Sequence, residues 1–337
     1  MRRFQKLVLI VVTGVVTSVS GSRALAQTPE QTGQLPQRLP AQLVQDFHSA
    51  FGAHHARAVH AKGVILRGSF APDRDASRLC RAALFTQTAV PVIVRFSDFT
   101  GIPNIPDTSM DANPRGLAIK FLIPDGSNLD IVTHSFNGFP VSTAAEFSTL
   151  LQAIGASGTG APKPTALDNF LAGHPKAKQF FTTQKPPPES FATAAYYGVN
   201  AFYFTTVQGE SRAVRYQFVP AAGEHYLSDA ALKGKSPDYL MTEIQARVAS
   251  QPITFTWWVQ LAEEGDVIDD PATAWPASRK RVRLGVVTIE QAGPNTAQSD
   301  RSLLFLPGTL LPGIEVADPM LTIRNASYPV SYSERQQ

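Results

Sequence analysis

VPVIVRFSDF, residues 90–99, alternates apolar and polar side chains and reads as a strand with one buried face. Three neighbours share that texture: VHAKGVIL (59–66), RGLAIKFLI (115–123) and LDIVTHSF (129–136), each set off by Gly, Pro, Asp or Asn. Further on, VNAFYFTTV (199–207) and RAVRYQFVP (212–220) are joined by QGES like the arms of a hairpin, and ITFTWWVQLA (253–262) and KRVRLGVVTIE (280–290) follow. That makes about eight strands. Helical spacing is clearest in AQLVQDFHSAFG (41–52) and EFSTLLQAIGA (146–156), with no regular alternation of strand and helix. The pattern predicts an α+β chain, an antiparallel sheet or closed barrel with helices outside it, and argues against a parallel doubly wound fold.

With 337 residues, 43% hydrophobic and 17% charged, the chain can bury a sizeable core. Its start has a different character. Arg2, Arg3 and Lys6 precede LVLIVVTGVVTSV, and Ala24-Leu25-Ala26 supplies a small-x-small cleavage pattern, so residues 1–26 read as a signal peptide and the protein is expected in the periplasm or outside the cell. The apolar run falls short of the roughly 20 residues that span a bilayer, and no membrane-embedded protein is expected. Residues 27–40, polar and proline-rich, read as a flexible linker, and residues 41–337 as a single domain. Removing residues 1–26 takes away four of the 30 basic residues, leaving 26 against 27 acidic ones, a net charge of −1. Nothing in that balance points to nucleic acid. The lone Cys80 cannot close an internal disulfide, and its helically spaced neighbours Leu79, Ala82 and Ala83 predict a buried, inert thiol.

The common catalytic motifs are missing: GxGxxG opening a helix, GxxxxGK[ST], HExxH, GxSxG and paired CxxC. His54, His55 and His60 have no carboxylate or thiol at ligand spacing to suggest zinc or copper. His60, between Arg57 and Lys62 at the mouth of a strand, either fills a core gap or moves protons. Near the C-terminus, MLTIRNASYPVSYSERQQ (320–337) places Arg324 and Tyr328 four apart, on one face of a helix. A guanidinium there would hydrogen-bond the phenol oxygen and favour its anion. A phenol of pKa about 10 ionises near neutrality only beside a strong cation, and a ferric ion would serve. Pro329 predicts that Tyr328 sits in the last helical turn or at a distortion.

RAVHAKG (57–63) followed by GSF, then VPVIVRFSDF, NPRGLAIKF (113–121), YYGVNAFYF (196–204), DPATAWP (270–276), LLPGIE (310–315) and RNASY (324–328) resemble, in this order, the catalase family and its smaller branch of catalase-related haem peroxidases. The resemblance covers nearly all of the mature chain. It implies an eight-stranded antiparallel barrel with surrounding helices and an iron protoporphyrin, haem b. It makes Tyr328 the phenolate ligand of the iron, Arg324 its hydrogen-bonding partner, His60 the distal proton shuttle and Ser97 the hydroxyl that orients His60. Arg57, Arg95 and Arg335 match the partners of the haem propionates, and Phe147 matches a phenylalanine stacked on the haem. Arg95 and Ser97, two apart on one strand, share a face that is expected to be the interior.

The activity so implied is reduction of hydrogen peroxide or small organic hydroperoxides through a ferryl intermediate, with electrons from a donor the sequence does not name, in a monomer or homodimer. Full catalases carry an asparagine pair in the segment LDIVTHSFNGFPVSTAAEF, where this chain has His134 and Ser135. Catalase activity is therefore expected to be weak; His134 either acts as a second distal hydrogen-bond donor or points out of the barrel, and Asn137, three residues later, reaches the site only if its loop deviates. Two alternatives are a hydroperoxide isomerase of the allene oxide synthase type, disfavoured by Val59 where that branch has threonine, and a non-catalytic haem-binding barrel.

Overall fold

A computed structural model describes residues 38–337. The expected signal peptide and most of the expected linker lie outside the described residues.

Two antiparallel meanders make the sheet. The first is β1 (Gly63–Pro72), β2 (Val90–Ser97), β3 (Gly116–Leu122) and β4 (Asn128–His134); the second is β5 (Tyr196–Thr205), β6 (Ser211–Pro220), β7 (Ile253–Leu261) and β8 (Arg281–Ala292). Pairing of β1 with β8 and of β4 with β5 closes these eight strands into the expected barrel. A short β9 (Ile314–Val316) takes up the edge of β5 at Phe202–Phe204, beyond the reach of β4. Its three residues are too few to show a period, which is why the sequence did not announce it.

Alternation fills the barrel. In β7, Ile253, Phe255, Trp257, Val259 and Leu261 are buried and the residues between them are not. Trp257 stands at the centre, with ring centroids of Phe70, Phe85, Phe121, Tyr216 and Phe218 within 5.3–5.7 Å. Truncating such a side chain costs about 3–5 kcal/mol. In β2 the core face is Val90, Val92, Val94 and Phe96, so Arg95 and Ser97 lie on the opposite, outer face. This corrects the expectation that they face the interior: their shared parity was right, but the inside was already taken by the apolar set.

Helices surround the barrel. They include α1 (Leu39–Phe51), α2 (Ala144–Gly155), α3 (Ala166–Gly173), α4 (Pro175–Thr182), α5 (Tyr239–Ser250), α6 (Ala297–Ser302) and α7 (Met320–Glu334). α1 starts two residues before the expected Ala41, with Pro40 in its first turn, where a missing N–H costs nothing. α2 opens on a capping box between Thr143 and Glu146. Leu43, Leu151, Met320 and Ile323 join α1, α2 and α7 in a second apolar cluster, flanked by Phe47 and Phe147. α7 runs through Pro329 to Glu334, longer than Pro329 suggested, because packing outweighs one missing hydrogen bond. Cys80 is fully buried, its Sγ 3.3 Å from the carbonyl of Gly313, and burial raises its pKa. Among the described residues, no helix is long and apolar enough to cross a membrane.

Candidate active site

Register places Ser97 of β2 opposite Gly116 of β3, Gly116 opposite His134 of β4, and His134 opposite Tyr197 of β5. A second row, Arg95, Ala118 and Val132, runs alongside. These outward residues form one wall of a cavity of about 1360 Å³, its mouth included. The other wall comes from Leu43, Val44 and Phe47 of α1 and from Met320, Ile323, Arg324, Ser327, Tyr328 and Ser331 of α7. Those α7 positions follow the three- and four-residue spacing of one helix face. All nine side chains singled out in the sequence (Arg57, His60, Arg95, Ser97, His134, Phe147, Arg324, Tyr328 and Arg335) line this cavity. Asn137 is exposed and does not.

His60 precedes β1 rather than lying on it, since the strand starts at Gly63. Among the described residues it is the one non-glycine with left-handed backbone, φ 56°. Three hydrogen bonds hold that conformation against its cost: its N–H to the carbonyl of Phe99 (2.9 Å), Arg95 Nη1 to its carbonyl (2.9 Å), and Arg95 Nη2 to the carbonyl of Ala61 (3.2 Å). The turn lays the imidazole over Gly116, where a Cβ would come within 2.7 Å of Nδ1. Nδ1 lies 3.0 Å from Ser97 Oγ and 3.1 Å from the carbonyl of Asp98. A carbonyl only accepts, so Nδ1 carries the proton and Nε2 keeps its lone pair. Burial, then the charges of Arg95, His134 and Arg324, push the His60 pKa down to about 3. The lone pair is therefore free throughout the physiological range.

A buried ionic group stiffens the strand ends behind His60. Arg115 pairs with Asp98 and donates to the carbonyl of Asp107 (2.6 Å), and Lys62 reaches the Asp107 carboxylate (2.6 Å). Burial raises the Asp98 pKa to about 7, against the opposing pull of Arg115. At the end of β4, His134 is 8% exposed. Its Nδ1 accepts from the N–H of Phe136 (3.4 Å), and its buried Nε2 has no partner. Burial, then Arg324, lowers its pKa to about 3.

At another side of the cavity, three guanidinium groups gather on residues 300–303. Arg57 donates to the carbonyls of Asp300 (2.9 Å) and Leu303 (2.7 Å), and Arg335 to those of Arg301 (2.9 Å) and Leu303 (2.8 Å). Arg95 Nε pairs with the Asp300 carboxylate at 2.7 Å. Burial would raise the Asp300 pKa, but Arg95, Arg57 and Arg335 outweigh it and hold the carboxyl below its usual range. Three cations share one carboxylate, which leaves an excess of positive charge suited to carboxylates of a ligand.

On α7, Arg324 donates to the phenol oxygen of Tyr328 through Nη2 (2.6 Å) and Nε (3.2 Å), as their spacing predicted. Its third donor, Nη1, meets Asn200 Oδ1 at 2.6 Å, and Asn200 Nδ2 in turn donates to Asp318 (2.7 Å). Asn200 comes from a bulge in which Val199–Ala201 of β5 stand opposite the single residue Arg215 of β6. Neither Asn200 nor Asp318 was singled out in the sequence, and neither were Gly116 and Asp300. YYGVNAFYF and NPRGLAIKF contain two of them, but what they touch depends on register and a bulge that a linear reading does not give.

A family model for catalase matches residues 43–336. The chain belongs to the catalase family. A catalase-related peroxidase of Synechococcus elongatus is 33% identical over 301 residues, 88% of either chain. Another, of Mycolicibacterium paratuberculosis, is 36% identical over 303 residues, 88% of this chain and 94% of that one. A fungal catalase structure superposes with a TM-score of 0.74 at 24% identity; it matches 83% of this chain, which spans only 59% of the fungal one. This catalase-family chain is thus an oxidoreductase of the peroxidase kind, built on the common barrel.

Proposed function

We propose that this catalase-family enzyme is a haem peroxidase acting on hydrogen peroxide or small organic hydroperoxides, with a separate reductant. One observation carries the reading: a phenol oxygen clasped by an arginine and an imidazole with a free lone pair line the same cavity from different walls.

The residues fit the haem that family membership implies. The cavity is bounded by the outer face of the barrel on one side and by α1 and α7 on the other. Its lining is largely apolar, and its arginines are the cluster of Arg57, Arg95 and Arg335 and, on α7, Arg324 beside Tyr328. Tyr328 would hold the iron, Arg57, Arg95 and Arg335 the carboxylates, and Phe147 would pack on the macrocycle. The bound group supplies the redox chemistry that the chain itself lacks.

What the chain contributes is proton handling. His60 Nε2 accepts the hydroxyl proton of the hydroperoxide, and the imidazolium so formed, disfavoured by its surroundings, readily returns it to the departing oxygen. Ser97 and the Asp98 carbonyl keep the ring in one tautomer through the cycle. The absence of an asparagine at position 134 supports peroxidase turnover over disproportionation. The basic, apolar and small-residue order of residues 1–26 supports export.

An absorption spectrum of the purified protein, followed through a peroxide titration with and without a phenolic reductant, tests the reading. A Soret band and steady peroxide consumption that needs the reductant are expected. A Soret band without consumption would instead mark a passive haem binder, and turnover of a fatty acid hydroperoxide without reductant an isomerase. Tyr328→Phe should be purified depleted of haem; full occupancy in that variant would remove Tyr328 from the iron.

A further inference from the structure

The two imidazoles of the cavity present opposite faces of the same chemistry. His60 is fixed by a carbonyl, an acceptor, at its Nδ1, and so keeps a bare Nε2. His134 is fixed by a backbone N–H, a donor, at its Nδ1. In a neutral imidazole one nitrogen carries the proton, so His134 carries it on Nε2. That N–H is buried and unpartnered. A histidine serving only the core would have both nitrogens satisfied, and an unpaired buried donor calls for an explanation.

Placement supplies one. The His60 ring lies over Gly116, and Gly116 is the register neighbour of His134. Phe99 stands edge-on to both rings, at centroid distances of 5.3 Å from His60 and 6.3 Å from His134. Both histidines line the cavity.

We infer that His134 is a second substrate-binding catalytic residue, whose Nε2–H donates a hydrogen bond to the peroxide while His60 Nε2 accepts its proton. The O–O–H group of a hydroperoxide offers both halves of this match: one hydroxyl hydrogen for the acceptor and oxygen lone pairs for the donor. The O–H bond breaks, the proton forms the N–H bond at His60, and the electron pair stays on oxygen. That oxyanion then receives the hydrogen bond of His134, which is stronger to an anion than to the neutral substrate. Low pKa values at both rings keep the acceptor bare and the donor neutral across physiological pH. The inference rests on the peroxidase reading and adds to it the group that replaces the distal amide.

The test uses the haem-loaded full chain with His134→Leu, which removes the donor, and His134→Gln, which can restore one. Two readouts are taken: the dissociation constant of cyanide from a Soret titration, and the second-order rate with hydrogen peroxide. Hydrogen cyanide likewise gives up a proton and leaves an anion in the site. In His134→Leu both should worsen by about tenfold or more, and in His134→Gln both should return to within about threefold of wild type. Wild-type values in the leucine variant, or equal loss in both variants at matched Soret absorbance, would overturn the inference alone. Should the leucine variant fail to hold haem, His134→Phe replaces it in the same comparison. A wild-type protein with no Soret band or no peroxide consumption would overturn the peroxidase reading as well, so the two failures are told apart.

Discussion

Gly116→Ala adds one methyl group directly beneath the distal imidazole. The new Cβ would lie 2.7 Å from His60 Nδ1 and 2.8 Å from Cε1, and would press against Ser97 Oγ, whereas ordinary contact begins near 3.4 Å. Gly116 has no positive φ, so the cost is steric alone. The ring must recede by about 0.7 Å, which stretches its 3.0 Å hydrogen bond to Ser97 toward the length at which such a bond no longer counts. Overpacking of this kind costs about 1–3 kcal/mol, and misplacing a reacting group by about 1 Å can cost 10²-fold in rate. Haem uptake should survive, because Tyr328 lies on the other wall and Arg57 and Arg335 at another side of the cavity. The assay is peroxide consumption per haem, normalised by the Soret band, in steady state and stopped flow. A Gly116→Ala enzyme with full haem and wild-type rates would refute the placement of His60 against that glycine.

Two further outcomes are expected. An ordinary histidine base is lost as pH falls through about 6.5, but a pKa lowered to about 3 moves that loss far into the acid range, so the rate per haem should stay level from pH 8 to below 5; a falling limb centred near 6.5 in a pH–rate profile would contradict the buried environment of His60. Asp300→Ala leaves Arg57, Arg95 and Arg335 without a shared carboxylate; with Asp300 28% exposed, a loss of about 2 kcal/mol is expected, below the 3–5 of a fully buried pair. Since the Asp300 pKa is depressed on folding, that stabilisation is present above its unfolded pKa and fades as pH falls through the folded one. Thermal unfolding of both proteins at neutral and acid pH checks it, and equal melting at neutral pH would count against the cluster.

The barrel was legible because strands such as Ile253–Leu261 keep every second residue apolar, and each of the eight apolar runs overlaps one of its strands. The cavity was legible in pieces. Arg324 and Tyr328 announced themselves by helical spacing, and His60 by its motif. What stayed hidden was relational. Parity put Arg95 and Ser97 on one face but could not say that Val92, Val94 and Phe96 would claim the inside. The row from Ser97 to Tyr197 exists only once four strands are in register. Asn200 reaches Arg324 by way of a bulge, and Asp300 meets Arg95 across 205 residues of sequence. α5 was missed because its buried stripe, Leu240, Ile244 and Val248, gives too few repeats to outweigh its polar majority.

A barrel plugged by Trp257 and its aromatic neighbours has a consequence for assembly. Its strands pair in sequence round the cylinder, with β4 meeting β5 at the one pair His134 and Tyr197, and none of that pairing involves a prosthetic group, so the cylinder can finish folding before one arrives. The prosthetic group is then expected to seat between that finished surface and α1 and α7, the two helices that close the cavity. Exchange of backbone amides should accordingly be slowest in the strands and little altered there by loading, with the change concentrated in those two helices.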